Sequence, residues 1–275
     1  MGKSILITGC SSGIGYHAAH ALKAKGWTVF ASCRKPEDCA RLQTEGLHSP
    51  LIDYEKPDTI NAGLAEVLDA TGGTLDAVFN NGAYAIPGLV EDLPTDALRQ
   101  IFEANFFGYH SLTRAVIPIM RAQGHGRIVQ CSSVLGFAAM PWRGAYNSTK
   151  FALEGLNDTL RLELRDTDIK VVLIEPGPIT TKIRENAIPH FEKWIDWENS
   201  ARSHDYQALK ERLYTDNGPD TFELPCSSVT DKLVHALTAS KPKARYYVTT
   251  ATYIAGTLKR ILPTRLMDKI MGKDS

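Results

Sequence analysis

No two cysteines in the 275-residue chain are spaced C-x-x-C, and the five present (Cys10, Cys33, Cys39, Cys131, Cys226) are odd in number. Reduced thiols in a cytoplasmic protein are the expectation, rather than a disulfide framework or a thiolate metal site. None of the eight His and five Cys fall into a recognisable ligand cluster, so no metal is expected. Charge of one sign is not in excess either: Lys+Arg and Asp+Glu each total 31. Nothing in that balance argues for nucleic acid as a partner. No apolar run approaches the ~18 residues of a membrane span. The first such run, 4–8, is too short for the apolar region of a signal peptide. Leu6 stands where a myristoylation signal after Gly2 needs Ser or Thr. Internal repeats, low-complexity segments and linkers are also missing, which leaves one domain over 1–275.

What is present is alternation. Short β-branched or apolar runs at 4–8, 28–32, 51–53, 75–80, 127–131, 170–175 and 245–249 read as strands. Some are apolar on both faces, as Val-Val-Leu-Ile at 171–174 is, which suits a parallel sheet covered on both sides. Between them, 13–25, 36–44, 57–70, 95–122, 145–165 and 228–239 carry helical periodicity, with Pro36 and Pro57 in first turns where a helix tolerates proline. The pattern predicts an α/β doubly wound parallel sheet of about seven strands, with ligands at the carboxyl ends of its strands. One region breaks the rhythm. Residues 180–226 hold no strand candidate, yet His190, Phe191, Trp194, Trp197 and Tyr206 gather there. Two readings stay open: a helical excursion packed for its own sake, or a cover over the substrate.

The first strand runs into Thr8-Gly9-Cys10-Ser11-Ser12-Gly13-Ile14-Gly15 and then a helix. Glycines at such a junction allow a tight turn and let main-chain N–H groups approach a pyrophosphate at the helix's positive end. The spacing resembles the T-G-x-x-x-G-x-G motif of the short-chain dehydrogenases/reductases, a Rossmann-type family. Further segments match in order: Asn80-Asn81-Gly82-Ala83 is similar to the family's N-N-A-G with Ala and Gly exchanged, and Pro176-Gly177-Pro178-Ile179-Thr180-Thr181 is similar to its P-G-x-x-x-T. The resemblance implies cofactor contacts from Gly9, Ser11, Ser12, Gly13, Ile14, Gly15 and Asn80, and from Asp53 at the adenine. It implies the same for Pro176, Gly177, Ile179 and Thr181 along the nicotinamide, and for Tyr146 and Lys150. Cofactor choice follows from charge. NAD-specific sites place a carboxylate after the second strand, but this stretch reads Ser32-Cys33-Arg34-Lys35. Arg34 can grip a 2′-phosphate that a carboxylate would repel, so NADP is expected.

The helix at 145–165 opens Ala145-Tyr146-Asn147-Ser148-Thr149-Lys150. Positions i and i+4 share a helical face, so phenol and ammonium point into one volume. A free phenol has a pKa of ~10, and a nearby cation favours its ionised form. Alone, the Y-x-x-x-K spacing occurs by chance on many exposed helices. Here a strand ending Cys131-Ser132-Ser133 precedes it. The resemblance puts the catalytic serine thirteen residues before the tyrosine, at Ser133. It implies that Ser133 hydrogen-bonds a substrate carbonyl, that Tyr146 exchanges a proton with it, and that Lys150 holds the nicotinamide ribose. It also implies that Asn105 organises a relay water. A serine hydrolase has little support, because no His and Asp follow Ser133 in a recognisable arrangement.

Leu135-Gly-Phe-Ala-Ala-Met-Pro-Trp142 and the aromatic-rich 180–226 suit a hydrophobic carbonyl or alcohol, although Leu135 and Phe137 read equally well as core. Within the family, the start and the basic second-strand end look like the hydroxysteroid and retinol dehydrogenase branch. Residues 175–181 and 262–270 resemble its bacterial NADP-dependent aldehyde reductases. Reduction of an aldehyde or ketone is the expectation, with hydroxysteroid or retinol-type oxidation as the alternative and a silent NADP-binding regulator as a minor one. Residues 241–275 carry eight Lys/Arg against two Asp/Glu, with apolar residues interleaved. That end reads as a helix packed on its own domain or a second subunit rather than a membrane-surface segment. The resemblance further implies a homodimer or homotetramer formed through helices 95–122 and 145–165.

Overall fold

The computed structural model describes residues 2–215 and 218–272. Among the described residues, six parallel strands form one sheet: β1 (Ser4–Ile7), β2 (Thr28–Ala31), β3 (Ala77–Asn80), β4 (Gly126–Cys131), β5 (Ile169–Glu175) and β6 (Arg245–Tyr247), ordered β2-β1-β3-β4-β5-β6. The helices in chain order are α1 (Gly13–Ala24), α2 (Pro36–Thr44), α3 (Pro57–Thr71), α4 (Thr95–Phe102), α5 (Gly108–Gln123), α6 (Gly144–Glu163), α7 (Ile183–Trp194), α8 (Tyr206–Tyr214), α9 (Cys226–Thr238), α10 (Thr250–Ile261) and α11 (Thr264–Met271).

Strand side chains alternate between two apolar layers. Ile5 and Ile7 of β1 pack with α1, α2 and α9, through residues such as Ala18, Leu42 and Leu233. Leu6, between them, packs on the other face with α3, α5 and α6, through Leu64, Leu112 and Leu153. Both faces of the strands are thus buried, which is why they read as continuous apolar runs rather than alternating ones. From β1 the chain crosses to β2 on one side and then back to β3 on the other. The carboxyl ends of β1 and β3 therefore flank the crevice where open α/β sheets bind ligands.

Two expectations are corrected. Residues 51–53 do not form a seventh strand; Leu51 makes a single bridge to Cys33, and His48 another to Phe30. Pro50 lies between them without an N–H to donate, so no continuous ladder can form. The helix expected over 95–122 is broken by a π-helical turn at Glu103–Phe107, which separates α4 from α5 and carries Asn105. Such wide turns commonly mark functional positions. At the C-terminal end Pro263 caps α11, so α10 and α11 form an angled pair. Met267 and Met271 of α11 pack on Phe137, Ala138 and Ala255. The end therefore packs on its own domain, although Ile261, Leu266 and Ile270 stay exposed; residues 273–275 lie outside the described residues. Among the described residues, no helix is long and apolar enough to cross a membrane.

The region 180–226 is helical, as α7, two 3-10 turns (Trp197–Asn199 and Ser203–Asp205) and α8. Its ends are pinned together by a bridge between Ile179 and Leu224, with Thr180 N–H donating to the Leu224 carbonyl at 3.0 Å. Asp216 and Asn217, within this region, lie outside the described residues.

Candidate active site

The glycine loop leaves β1 at the crevice. Gly9 and Gly13 adopt left-handed backbone, with φ of +69° and +60°, which side-chain-bearing residues adopt only at a cost. A Cβ on Gly9 would come within 2.5 Å of the Gly82 Cα, and one on Gly15 would strike the Gly9 carbonyl. Close packing without side chains leaves the loop's N–H groups and the start of α1 open to an anion. Ser11 and Ser12 flank the turn, and Ile14 turns inward onto the core. A pyrophosphate fits this cradle. The segment after β3 holds the loop in place: Asn81 donates from its amide to the Thr8 carbonyl at 3.1 Å, and from its main chain to the Thr8 hydroxyl at 2.9 Å.

The side chain of Asn80 is turned into the protein. It is fully buried and donates to Gln130 and Thr113 while accepting from Tyr54 at 2.5 Å. Its amide is spent inside the protein and builds the crevice wall from behind. Tyr54, whose hydroxyl also meets Thr8 at 2.8 Å, and Arg41, which donates to the Ser11 carbonyl at 2.7 Å, are supports that no local motif points to. Beyond β2, Arg34 is exposed, and among the described residues it has no ion pair or hydrogen bond. Its charge acts on Tyr84 and His190, lowering the pKa of each, against the effect of burial in the first and with it in the second. Ser32, at the same strand end, has a buried hydroxyl with no partner. The Asp53 carboxylate accepts the Glu55 N–H and lies 3.6 Å from Lys56.

At the carboxyl end of β4 two adjacent serines point to different places. Ser132 hydrogen-bonds Glu154 of α6. Ser133 accepts the Leu135 N–H at 3.1 Å and reaches the Pro176 carbonyl at 3.4 Å. The Ser133 hydroxyl also acts on the Tyr146 phenol, favouring its ionised form against the larger effect of burial. Lys150 is 1% exposed, donates to the Cys131 carbonyl at 2.7 Å, and lies 5.5 Å from the centre of the Tyr146 ring. Burial pushes the Lys150 ammonium down to about 8. The Tyr146 phenol moves up from its ordinary value, chiefly by burial, against the lowering expected from its neighbour. The ammonium is committed to a carbonyl and sits over the ring, so desolvation of the phenol wins. Asn105, fully buried on the π turn, accepts the Tyr84 N–H at 3.1 Å and donates to the Tyr84 carbonyl at 2.9 Å.

The loop after β5 closes the crevice from the far side. Pro176 accepts the Val134 N–H at 2.8 Å, Gly177 lies against Thr249, Ile179 packs on the core, and the Thr181 methyl lies against Gly13. Over Tyr146 sits an apolar cluster shared with Leu135, Trp142, Phe191, Ile195 and Tyr206. Phe137 turns away instead and stacks on Tyr247 at 5.6 Å. Tyr206 is fully buried, and its hydroxyl joins Asp92 at 2.6 Å to the Leu89 N–H at 3.1 Å. His190 of α7 stacks on Tyr84 at 3.9 Å.

Comparison with known proteins agrees with this geometry. The short chain dehydrogenase family model matches residues 3–191. An uncharacterized oxidoreductase of Escherichia coli, YbbO, is 42% identical over 98% of this chain and 94% of that protein. An NADPH-dependent 3-dehydrocapnine reductase of Ornithobacterium rhinotracheale is 33% identical over 98% of this chain and 96% of its own. A solved short-chain dehydrogenase from Streptomyces avermitilis superposes with a TM-score of 0.79 at 27% identity, covering 98% of this chain and 95% of that one. A chain with this sheet, this glycine loop and these relatives belongs to the short-chain dehydrogenase family of oxidoreductases.

Proposed function

We propose that the protein is an NADP(H)-dependent carbonyl reductase acting on a hydrophobic aldehyde or ketone. The observation that carries the reading is the convergence of Ser133, Tyr146 and Lys150 beside the glycine loop, under an apolar cluster. NADP rather than NAD is supported by Arg34, a cation without a partner among the described residues at the β2 end, and by the NADPH-dependent relative. Gly9, Gly13 and Gly15 form the cradle for the pyrophosphate, and Pro176 to Thr181 the wall beside the nicotinamide. Bound NADPH supplies the hydride that reaches the carbonyl carbon. Ser133 donates a hydrogen bond to the carbonyl oxygen, and Tyr146 delivers the proton to that same oxygen. Lys150 keeps positive charge beneath the phenol and reaches the ribose. Asn105 is a positioning residue: it holds the Tyr84 main chain, which forms the wall opposite α6. Region 180–226 acts as the substrate cover, since Phe191, Ile195 and Tyr206 complete the apolar wall around Tyr146.

The enzyme works in the cytoplasm as a homodimer or homotetramer. Exposed Phe107, Phe151 and Leu162 on the two expected helices support a second copy there. A turnover screen with NADPH and NADH over aliphatic and aromatic aldehydes, ketones, steroids and retinoids tests the proposal. Oxidation of NADPH at least tenfold faster than NADH with apolar aldehydes or ketones is expected. NADPH binding without turnover of any carbonyl would overturn it.

A further inference from the structure

Two hydrogen bonds beyond Ser132 lies a guanidinium that the reaction above does not use. Arg245 opens β6 and pairs in register with Leu173 of β5. Its part-buried side chain meets three carboxylates. Nη1 donates to Glu154 and, at 2.8 Å, to Glu175, while Nη2 donates to Asp158 at 2.5 Å. Glu154 and Asp158 belong to α6 and continue the four-residue steps that put Tyr146 and Lys150 on one helical face. Glu175 ends β5 and is fully buried. Its Oε2 has no partner among the described residues, so its hold on the protein runs through Arg245.

Two of these carboxylates lead one step further, to the surroundings of Ser133. Glu154 accepts the hydroxyl of Ser132, the residue before it. Main chain covers that pair closely: a Cβ on Gly136 would come within 2.6 Å of the Ser132 Oγ and 2.9 Å of the Glu154 Cγ. On the other side Glu175 precedes Pro176, whose carbonyl accepts the Ser133 hydroxyl at 3.4 Å and the Val134 N–H at 2.8 Å. Ser133 thus stands between two strand ends tethered to one cation, and the helix that carries Tyr146 is tethered to the same cation. A planar guanidinium with fixed N–H directions sets angles as well as distances. Such buried ion clusters contribute little net stability, because desolvation offsets attraction; what they can supply is one arrangement. Displacing a group at a reacting centre by about 1 Å costs roughly a hundredfold in rate.

We propose that Arg245 is a positioning residue for the carbonyl reaction: by holding Glu154 and Glu175 it fixes the Ser133 hydroxyl relative to the Tyr146 phenol. This rests on the assignment of Ser133 as the hydrogen-bond donor to the substrate carbonyl.

A double-mutant cycle separates positioning from support of the fold. The readout is kcat at saturating NADPH with the aldehyde or ketone that the turnover screen finds reduced fastest. Arg245→Met should lower kcat at least tenfold in the wild-type background. In Ser133→Ala, where the group it places is already gone, the further loss should stay under threefold. Arg245→Lys keeps the charge without the planar fork and should show the same pattern with a smaller loss. Arg161→Met removes a different arginine from Asp158 and should leave kcat within twofold. A tenfold loss there would place the effect on Asp158 and overturn the route through Ser132 and Pro176. A weakened fold lowers activity by the same factor in both backgrounds, so losses from Arg245→Met that differ by less than threefold between them overturn the proposal. Should Arg245→Met not fold, the Arg245→Lys cycle decides on the same comparison. If the wild type reduces no carbonyl, the reductase reading fails separately, and hydrogen exchange decides the tether. Amides of 131–137 and 174–177 in Arg245→Lys should then exchange at least tenfold faster than in the wild type, with those of β1 and β2 unchanged. No acceleration, or one shared by β1 and β2, overturns it.

Discussion

The Lys150 ammonium hydrogen-bonds the main-chain carbonyl of Cys131 at 2.7 Å, tying the helix turn after Tyr146 to the strand end that carries Ser133. One bond thus sets the distance between α6 and β4 at the point where a substrate carbonyl would sit. It also keeps a cation almost wholly out of water, and the energetic consequence can be measured.

Burial lowers the folded-state pKa of Lys150 to about 8, whereas an unfolded lysine titrates near ~10.4. Between those values the unfolded chain holds more protons than the folded one, so stability from this site rises with pH. Below about pH 8 both states are protonated, and the buried charge is a constant cost. The stability of the wild type minus that of Lys150→Met is therefore expected to grow by roughly 1–3 kcal/mol between pH 8 and 10. Urea unfolding of the two proteins at matched pH measures it. A flat difference across that window would mean that the ammonium is not desolvated.

The same titration bears on turnover. Tyr146 keeps its proton in the free protein, since burial raises its pKa, and it is therefore ready to act as an acid. Carbonyl reduction should fall as pH rises through about 8, where Lys150 loses its charge. Tyr146→Phe should lower kcat by roughly 10²–10⁴, the usual worth of a positioned acid. Fluorescence titration with NADPH should show binding of that variant within a few fold of wild type. Near-full turnover by Tyr146→Phe would remove the phenol from the mechanism.

The parts of this site that could be read in advance are those carried by short spacings. The Thr8-to-Gly15 turn needs glycines at positive φ, and the four-residue step from Tyr146 to Lys150 fixes a shared helical face; both are local. The distinction between Ser132 and Ser133 came from a family spacing, and the structure adds the physical reason: Glu154 takes the first hydroxyl. What stayed hidden depends on partners far along the chain. The Asn80 side chain is held by Tyr54 and Gln130, 26 and 50 residues away. Tyr206 holds α8 through Asp92, 114 residues earlier. The break of the 95–122 helix at Asn105 is of the same kind, because helical periodicity cannot show that its amide will grip Tyr84.

Arg34 gives a prediction with little structural side effect. Its side chain is exposed, and among the described residues it has no partner, so Arg34→Asp should change stability by no more than about 0.5 kcal/mol. A charge-assisted hydrogen bond contributes ~1.5–3 kcal/mol, and the new carboxylate would add repulsion against a 2′-phosphate. The ratio of kcat/KM for NADPH over NADH is expected to drop at least tenfold and to reverse. Steady-state kinetics with both nucleotides decides it; an unchanged ratio would take Arg34 out of cofactor selection.

His190 links pH to the region over the site. It stacks on Tyr84 with ring centres 3.9 Å apart and planes 8° apart. Burial, and then the cations Arg34 and Lys193, push its pKa down to about 4. A histidine whose folded pKa lies below its unfolded value near ~6.5 stabilises fully above that value. The contribution is lost as pH falls toward 4, because the unfolded chain takes up the proton first. The ring is half-buried, so solvent screening reduces the effect to roughly 1 kcal/mol. Hydrogen exchange of the α7 amides, corrected for intrinsic rates, should show an opening free energy smaller by about that amount at pH 5 than at pH 7. His190→Phe keeps an aromatic face against Tyr84 and has nothing to titrate, so its α7 protection should be the same at both pH values. Strand amides of β4 and β5 serve as the control, since a drop shared by them would report global acid weakening. Wild-type α7 protection that does not change with pH would show that His190 is not held neutral by its burial against Tyr84.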